Sequence, residues 1–280
     1  MTVKQSTADD SNSTTRRNAW KSGYERLASA SYAHGVWSVS NVRANHYDPT
    51  LGHPQAEELA QSRWTERVIR EEDIAGAYFL HTHFSRFLAH DFLTFEIAGD
   101  RPIAVSKEIR YTPHYKWAVR RLALNMIRGT DTTCVIVAEE FDVMYLRTHI
   151  RQGEFLYVYP LALSREQARA LFHNVMRSLA KENDPNHPIV LRNPLRQSCS
   201  GFALGHLARV PEAPSIPQWH YGRWLTAYSD RLLARLGLLR GVSHWDLQTS
   251  KRFFINNAVQ ACEQNEAYSL CWRQAIGVAS

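Results

Sequence analysis

The stretch Leu88-Ala89-His90-Asp91-Phe92-Leu93-Thr94-Phe95, followed by Ala98-Gly99-Asp100-Arg101-Pro102 and then Val105-Ser106-Lys107-Glu108-Ile109-Arg110, decides the fold. Both flanks read as strands, and the segment between them is a strong turn signal, so an antiparallel hairpin is predicted. Residues on the same face of adjacent strands come within side-chain reach. The hairpin therefore sets a histidine, His90, on one strand and a carboxylate, Glu108, on its neighbour. Alternation places His90 with Phe92, Thr94 and Glu96 on the less apolar face of its strand, and Glu108 with Ser106 and Arg110.

A third piece lies further along. Gln197-Ser198-Cys199-Ser200 leads into an apolar, helix-like run from Gly201 to Arg209. A helix N-terminus favours a thiolate, and the small polar flanks suit an accessible turn. Cysteine, histidine and carboxylate are the parts of a thiol nucleophile with its base and orienter. The expectation is a Cys199 thiol with a lowered pKa, His90 as base, and Glu108 accepting a hydrogen bond from the imidazole. Each residue also has a blander reading. A lone cysteine is usually a small buried hydrophobe. His90 is one of 13 histidines, and an exposed Glu–Arg pair is worth little.

The chain has 280 residues, 44% hydrophobic and 11% aromatic, which is enough for a sizeable core in one large or two small domains. Its net charge of +6 arises from scattered residues. No arginine-rich arm, zinc-finger spacing or aromatic-basic motif is present, so no specific nucleic-acid partner is expected. A mildly basic surface can favour anionic partners, including a peripheral contact with phospholipid. Met1 to Arg17 is a polar tail without the apolar core of a secretory signal, and no apolar run approaches the ~18 residues of a membrane span. The default expectation is a soluble protein of the cytoplasm. Cys134 sits in an apolar run and reads as a core thiol. Cys262 and Cys271, nine apart in a tail that reads as helical, are expected not to bond to each other, and a mostly reduced environment fits.

Outward from the hairpin, residues 1–17 form a disordered tail and Asn18–Ala30 a short amphipathic helix. Val36–Arg43 alternates as a strand. Glu57–Glu72 is partly helical or contains an edge strand over Trp64–Ile69, and Ile74–Leu80 leads into the hairpin. Trp117–Ile127 has helical spacing, while Cys134–Ala138, Asp142–Arg147 and Glu154–Tyr159 read as strands. Ser164 and Gln167 form a capping box that starts a helix running to about Lys181. Residues 18–211 are thus assigned to an α+β domain, an antiparallel sheet with packed helices, and 212–280 to a helical extension packing on it.

Metal binding is the competing chemistry. His81-Thr82-His83, with His90 nearby, could bind zinc, because alternate strand residues face the same way. No matching cysteine or carboxylate spacing accompanies them and there is no HExxH helix, so no metal ligand is assigned. Nor is there a GxSxG elbow, P-loop or GxGxxG. Lys107, Arg147 and Arg151 read as solvated charges.

The ordered set Asn41-Val42-Arg43 with Tyr47, then Ala89 to Phe95, Ala104 to Arg110, Glu139 to Thr148, Leu156 to Leu161, Ser164 to Phe172 and the cysteine segment resembles the N-terminal periplasmic domain family of the bacterial lipoprotein transacylase Lnb, over roughly residues 36–210. The family resembles papain-like thiol enzymes, and histidine ahead of cysteine is similar to the circularly permuted, NlpC-like branch. The resemblance implies Cys199 as nucleophile, His90 as base and Glu108 as third member, with Arg43, Tyr47 and Arg110 lining or bracing the site. Transacylase members work outside the cytoplasmic membrane, so the cell envelope enters as a second possible location. In place of the family's asparagine-rich lead-in, this chain has Arg196-Gln197-Ser198. The sequence therefore leads to a cysteine-dependent hydrolase or acyltransferase acting on an amide, ester or thioester. No cofactor is required, and the acyl group belongs to a protein, peptide, peptidoglycan or lipid. The alternative is an inactive domain of the same fold used for binding or as a structural partner.

Overall fold

A computed structural model describes residues 20–113, 125, 128–151, 153–193, 197–242, 246 and 250–277. Nine strands among them form one sheet: β1 (Ser29–Ala33), β2 (Val36–Arg43), β3 (Trp64–Arg70), β4 (Ile74–His83), β5 (Ala89–Ile97), β6 (Asp100–Ile109), β7 (Thr132–Glu139), β8 (Phe155–Pro160) and β9 (Ile189–Val190). The order is β1-β2-β7-β6-β5-β4-β8, with β3 paired to β2 and β9 to β7. The expected hairpin is β5–β6, and Gly99 takes the positive φ of 74° that its tight turn requires. The sheet is mixed rather than purely antiparallel, because β2 meets β7 in parallel at Arg43↔Ala138. A parallel pairing depends on segments distant in sequence, so no local turn signal marks it.

The described helices are α1 (Gln55–Glu58), α2 (Glu140–Tyr145), α3 (Arg165–Glu182), α4 (Cys199–Leu207), α5 (Tyr221–Trp224), α6 (Ser229–Arg235) and α7 (Tyr268–Ala275). Strand alternation gives the sheet two apolar faces. On one, Phe79, Leu93, Phe95 and Val105 pack under α3, α4 and α6. On the other, Leu80, Phe92, Ala104 and Ile136 pack under α2 and α7. In α3 the stripe Ala168, Leu171, Phe172, Val175 and Leu179 is buried as its spacing predicts, and Ser164 and Gln167 form the reciprocal capping box.

Several expectations are corrected. Residues 20–28 are turns leading into β1, so the part of the 18–30 helix that can be seen is absent. Asp142–Arg147 is not a strand. It belongs to α2 and a following π turn, and every residue from Glu140 to Thr148 is buried. A helix buried on all sides shows no 3.6-residue stripe, which is why its apolar run resembles a strand. Among the described residues of 223–275, which were expected to be helical, the helices are short and separated by turns. Lys107 and Arg147 are buried, not solvated. Most of the expected 117–127 helix, and the 1–17 tail, lie outside the described residues.

Cys262 and Cys271 form a disulfide with a Cα–Cα distance of 5.8 Å. Nine residues of continuous helix would hold them about 13 Å apart. The chain instead turns between them, and α7 begins only at Tyr268. The C-terminal region also lies along β8. Val158 N–H donates to the Phe253 carbonyl, Ile255 N–H to Leu156, Ala162 N–H to Leu238 and Arg240 N–H to Pro160.

Candidate active site

The β5–β6 ladder runs from Ile97↔Asp100 to Leu93↔Val105. Beyond its end, Ala89 and His90 of β5 and Lys107, Glu108 and Ile109 of β6 line a cavity of about 480 Å³, with Arg147, Ser198 and Cys199 among its other lining residues. The paired part of the hairpin fixes the geometry, and the unpaired ends supply the opening.

His90 and Glu108 do meet across the two strands, through a residue between them. Nε2 of His90 lies 2.7 Å from Ser106 Oγ, and Ser106 Oγ donates to Glu108 Oε1 at 3.1 Å. The direct His90 Nε2–Glu108 Oε1 distance is 3.7 Å. A carboxylate only accepts, so the single Ser106 proton goes to Glu108 and the serine oxygen accepts from His90 Nε2–H. That places the imidazole proton on Nε2 and leaves Nδ1 as the basic nitrogen.

Glu108 is held by more than this relay. Arg147 Nη2 donates to its Oε1 at 3.2 Å, and Tyr24 O–H donates to Oε2. Burial alone would raise the Glu108 carboxyl, but Arg147, with His90, Arg43 and Arg151 behind it, overrides burial and holds it well below the usual carboxylate range. Arg147 also lies over the Phe92 ring at 4.8 Å. Burial, then the Arg147 charge, pushes the His90 imidazole down to about 4.

Cys199 is the first residue of α4. Its N-cap, Ser198, accepts from Gly201 N–H at 3.0 Å. The thiol is not activated at rest as its helix position suggested. Burial, then the Asp91 charge, pushes it up to about 11, although backbone N–H groups of Asp91 and Ser200 act the other way. Desolvation outweighs the helix terminus here. The other free cysteine, Cys134, is a buried core thiol pushed up to about 12, as its apolar run implied.

Arg43, Tyr47 and Arg110, expected to line or brace the site and to bind substrate, are not among the residues that line this cavity. Arg43 donates to both carboxylate oxygens of buried Asp142, Nε to Oδ2 at 2.8 Å and Nη2 to Oδ1 at 3.1 Å. Tyr47 O–H donates to the same Asp142 at 2.7 Å. Arg110 donates to the carbonyls of Tyr24 and Glu25 and lies over Trp20. All three brace the wall behind Glu108. Ser106, Tyr24 and Arg147 carry the site without having been singled out by the sequence. Only Ser106 left a signal, being two residues before Glu108 on one strand face.

Fold and cleft together define an α+β domain in which a helix-borne cysteine, a strand-borne histidine and a buried carboxylate share one cavity. The chain belongs to the Lnb N-terminal periplasmic domain family, which it matches over residues 60–210. Comparisons with curated proteins and with solved structures found no match. The family's periplasmic description points to the cell envelope, so the cytoplasmic default is not supported. The Cys262–Cys271 bridge agrees, since such bonds persist in oxidising compartments, and it replaces the expectation of a reduced environment. Among the described residues no helix is long and apolar enough to cross a membrane.

Proposed function

We propose that this domain is a cysteine-dependent hydrolase or acyltransferase acting on an amide, ester or thioester. The observation that carries the reading is the shared cavity: Cys199, the first residue of α4, and His90, held by Ser106 and Glu108, both line it. A cysteine at a helix start and a histidine on a strand, lining one cavity, are the parts a papain-like enzyme would use, and the histidine-before-cysteine order is that of the permuted branch of that class.

In this reading Cys199 attacks neutral. His90 Nδ1 takes the thiol proton as the sulfur bonds to the acyl carbon, and the carbonyl π electrons move to oxygen. The first N–H groups of a helix lack intrahelical partners, so the Cys199 N–H at the start of α4 is available to the oxyanion. Collapse expels the amine, alcohol or thiol leaving group with the proton from His90. Water or an acceptor amine, deprotonated by His90, then releases the acyl group and restores the thiol. Ser106 and Glu108 keep Nε2 protonated and stabilise the imidazolium while it exists. The acyl donor is a protein, peptide, peptidoglycan or lipid, and no cofactor enters these steps.

The test is acyl-enzyme trapping. The full chain is incubated with short- and long-chain acyl thioesters and acyl peptides and followed by intact mass and peptide mapping. The expected result is an acyl adduct on Cys199 whose formation falls by about 10²–10⁴-fold in His90→Ala. A folded protein that never acylates, or an adduct kept by Cys199→Ala, overturns the reading. The raised thiol and lowered imidazole favour one second reading, a binding domain that keeps the fold without the chemistry. Failure of every acyl donor would select it.

A further inference from the structure

We propose that His81, His83 and Asp230 form a binding site for a divalent metal ion of the zinc class, with water completing the coordination. The site is separate from the thiol chemistry and does not depend on it. Alternation along β4 points His81 and His83 to one face of the sheet, with ring centroids 4.4 Å apart and planes nearly perpendicular. Sequence spacing offered no carboxylate to join them. The fold supplies one from far along the chain, because α6 lays Asp230 against β4.

The geometry suits three ligands on one ion. One ligand atom from each residue falls within 4.8 Å of the others, and His81 Nε2 lies 3.9 Å from Asp230 Oδ1. Zinc holds nitrogen and oxygen donors at about 2.0–2.2 Å, so tetrahedral partners stand ~3.3–3.5 Å apart. A shift of a few tenths of an ångström between His81 and Asp230, with a larger inward one by half-buried His83, closes the difference. Two histidines and one carboxylate leave a coordination position open.

A second, independent observation is the state of His81. Its ring is fully buried, and its Nδ1 lies 2.6 Å from Asp91 Oδ1, with Ser229 Oγ at 3.2 Å. A carboxylate on Nδ1 keeps the proton there and turns the Nε2 lone pair outward, which is how metal-bound histidines are oriented. Yet Nε2 meets no acceptor with hydrogen-bond geometry, although the Ala227 carbonyl lies near the ring. A buried ring nitrogen without a partner needs an explanation, and an ion supplies one.

Charge points the same way. Two carboxylates, Asp91 and Asp230, flank the His81 imidazole and favour a cation beside it, while Asp230 also accepts from Arg231 N–H and Tyr159 O–H. The competing occupant is a proton on His81. On Nε2, 3.9 Å from Asp230 Oδ1, that proton is too distant for a hydrogen bond, and it makes no use of His83.

The probes are Zn²⁺ and Co²⁺, offered to the untagged full chain and followed by desalting. Metal content is read by elemental analysis, the cobalt form by its visible bands and the fold by circular dichroism. A single ion per chain is expected, retained in Cys199→Ala and lost on desalting in His83→Gln and in Asp230→Asn. Asp91→Asn, which keeps the shape of the outer partner, weakens Kd by about 10–100-fold. No uptake by the folded wild type overturns the proposal in favour of a protonated His81. Uptake unchanged in both ligand variants, or abolished in Cys199→Ala, places the ion elsewhere and overturns it too. None of these results depends on whether Cys199 forms an acyl-enzyme.

Discussion

At the residue scale the protonation of His90 governs both reactivity and acid tolerance. Its folded pKa of about 4 lies below the ~6.5 of an unfolded histidine. The folded state therefore binds fewer protons than the unfolded one between these values, and stability falls as pH drops from about 6.5 to about 4. Glu108, also depressed, acts in the same direction below about 4.3. Thermal denaturation from pH 7 to pH 4 is expected to show a declining Tm. His90→Gln makes that decline shallower without abolishing it, since His83 and His206 are also pushed down to about 4, and an unchanged slope would count against a buried neutral His90. The thiol gives a complementary signature. Iodoacetamide alkylation of Cys199 in the resting protein should keep rising towards pH 11, and Ser106→Ala should slow acylation much more than alkylation. A plateau well below pH 8 would show instead a preformed thiolate. The placement of His90 and Glu108 on adjacent strands and of Cys199 at a helix start was legible because strand period and a helix start are local patterns. Arg147 was not, since its burial follows from the packing of a whole helix.

The element that does most to hold the cleft is α2 with its π turn. Asp142 receives both Arg43 and Tyr47, and Arg147 donates to the Val143 carbonyl as well as to Glu108. One wholly buried segment thus carries the charges that fix β2 and β6. Removing one partner of such a pair strands the other in a low-dielectric interior. Asp142→Ala is expected to cost about 3–5 kcal/mol in chemical denaturation, and a loss under 1 kcal/mol would mean that Arg43 reaches water. This segment is where sequence reading misassigned the structure. The α3 helix, half on the surface, shows a clean stripe and a cap, whereas α2 presents apolar residues in every direction. Amphipathic elements are legible, and wholly buried ones lose their period.

Across the whole molecule, strands distant in sequence meet, and no local pattern announces it. The sheet joins β2 to β7, and the cluster of His81, His83 and Asp230 joins β4 to α6. The disulfide could not be inferred either, because its feasibility rests on turns between two cysteines that a helical reading would separate. Residues beyond the Lnb-like match contribute to both apolar layers, Leu232 and Leu233 to one and Tyr268 and Trp272 to the other.

The segments laid along β8 have a consequence for any attempt to isolate the family-matching part. Their backbone groups occupy amides and carbonyls of a strand at the end of the sheet. A chain truncated after Pro211 would present that strand bare, a ready template for pairing with another copy. Size-exclusion chromatography of the truncated chain should show oligomers or aggregates where the full chain elutes at its own mass. A well-behaved monomer would instead mark the C-terminal region as dispensable. The family-matching segment, on this structure, is guarded from self-association by the part of the chain that lies outside the match.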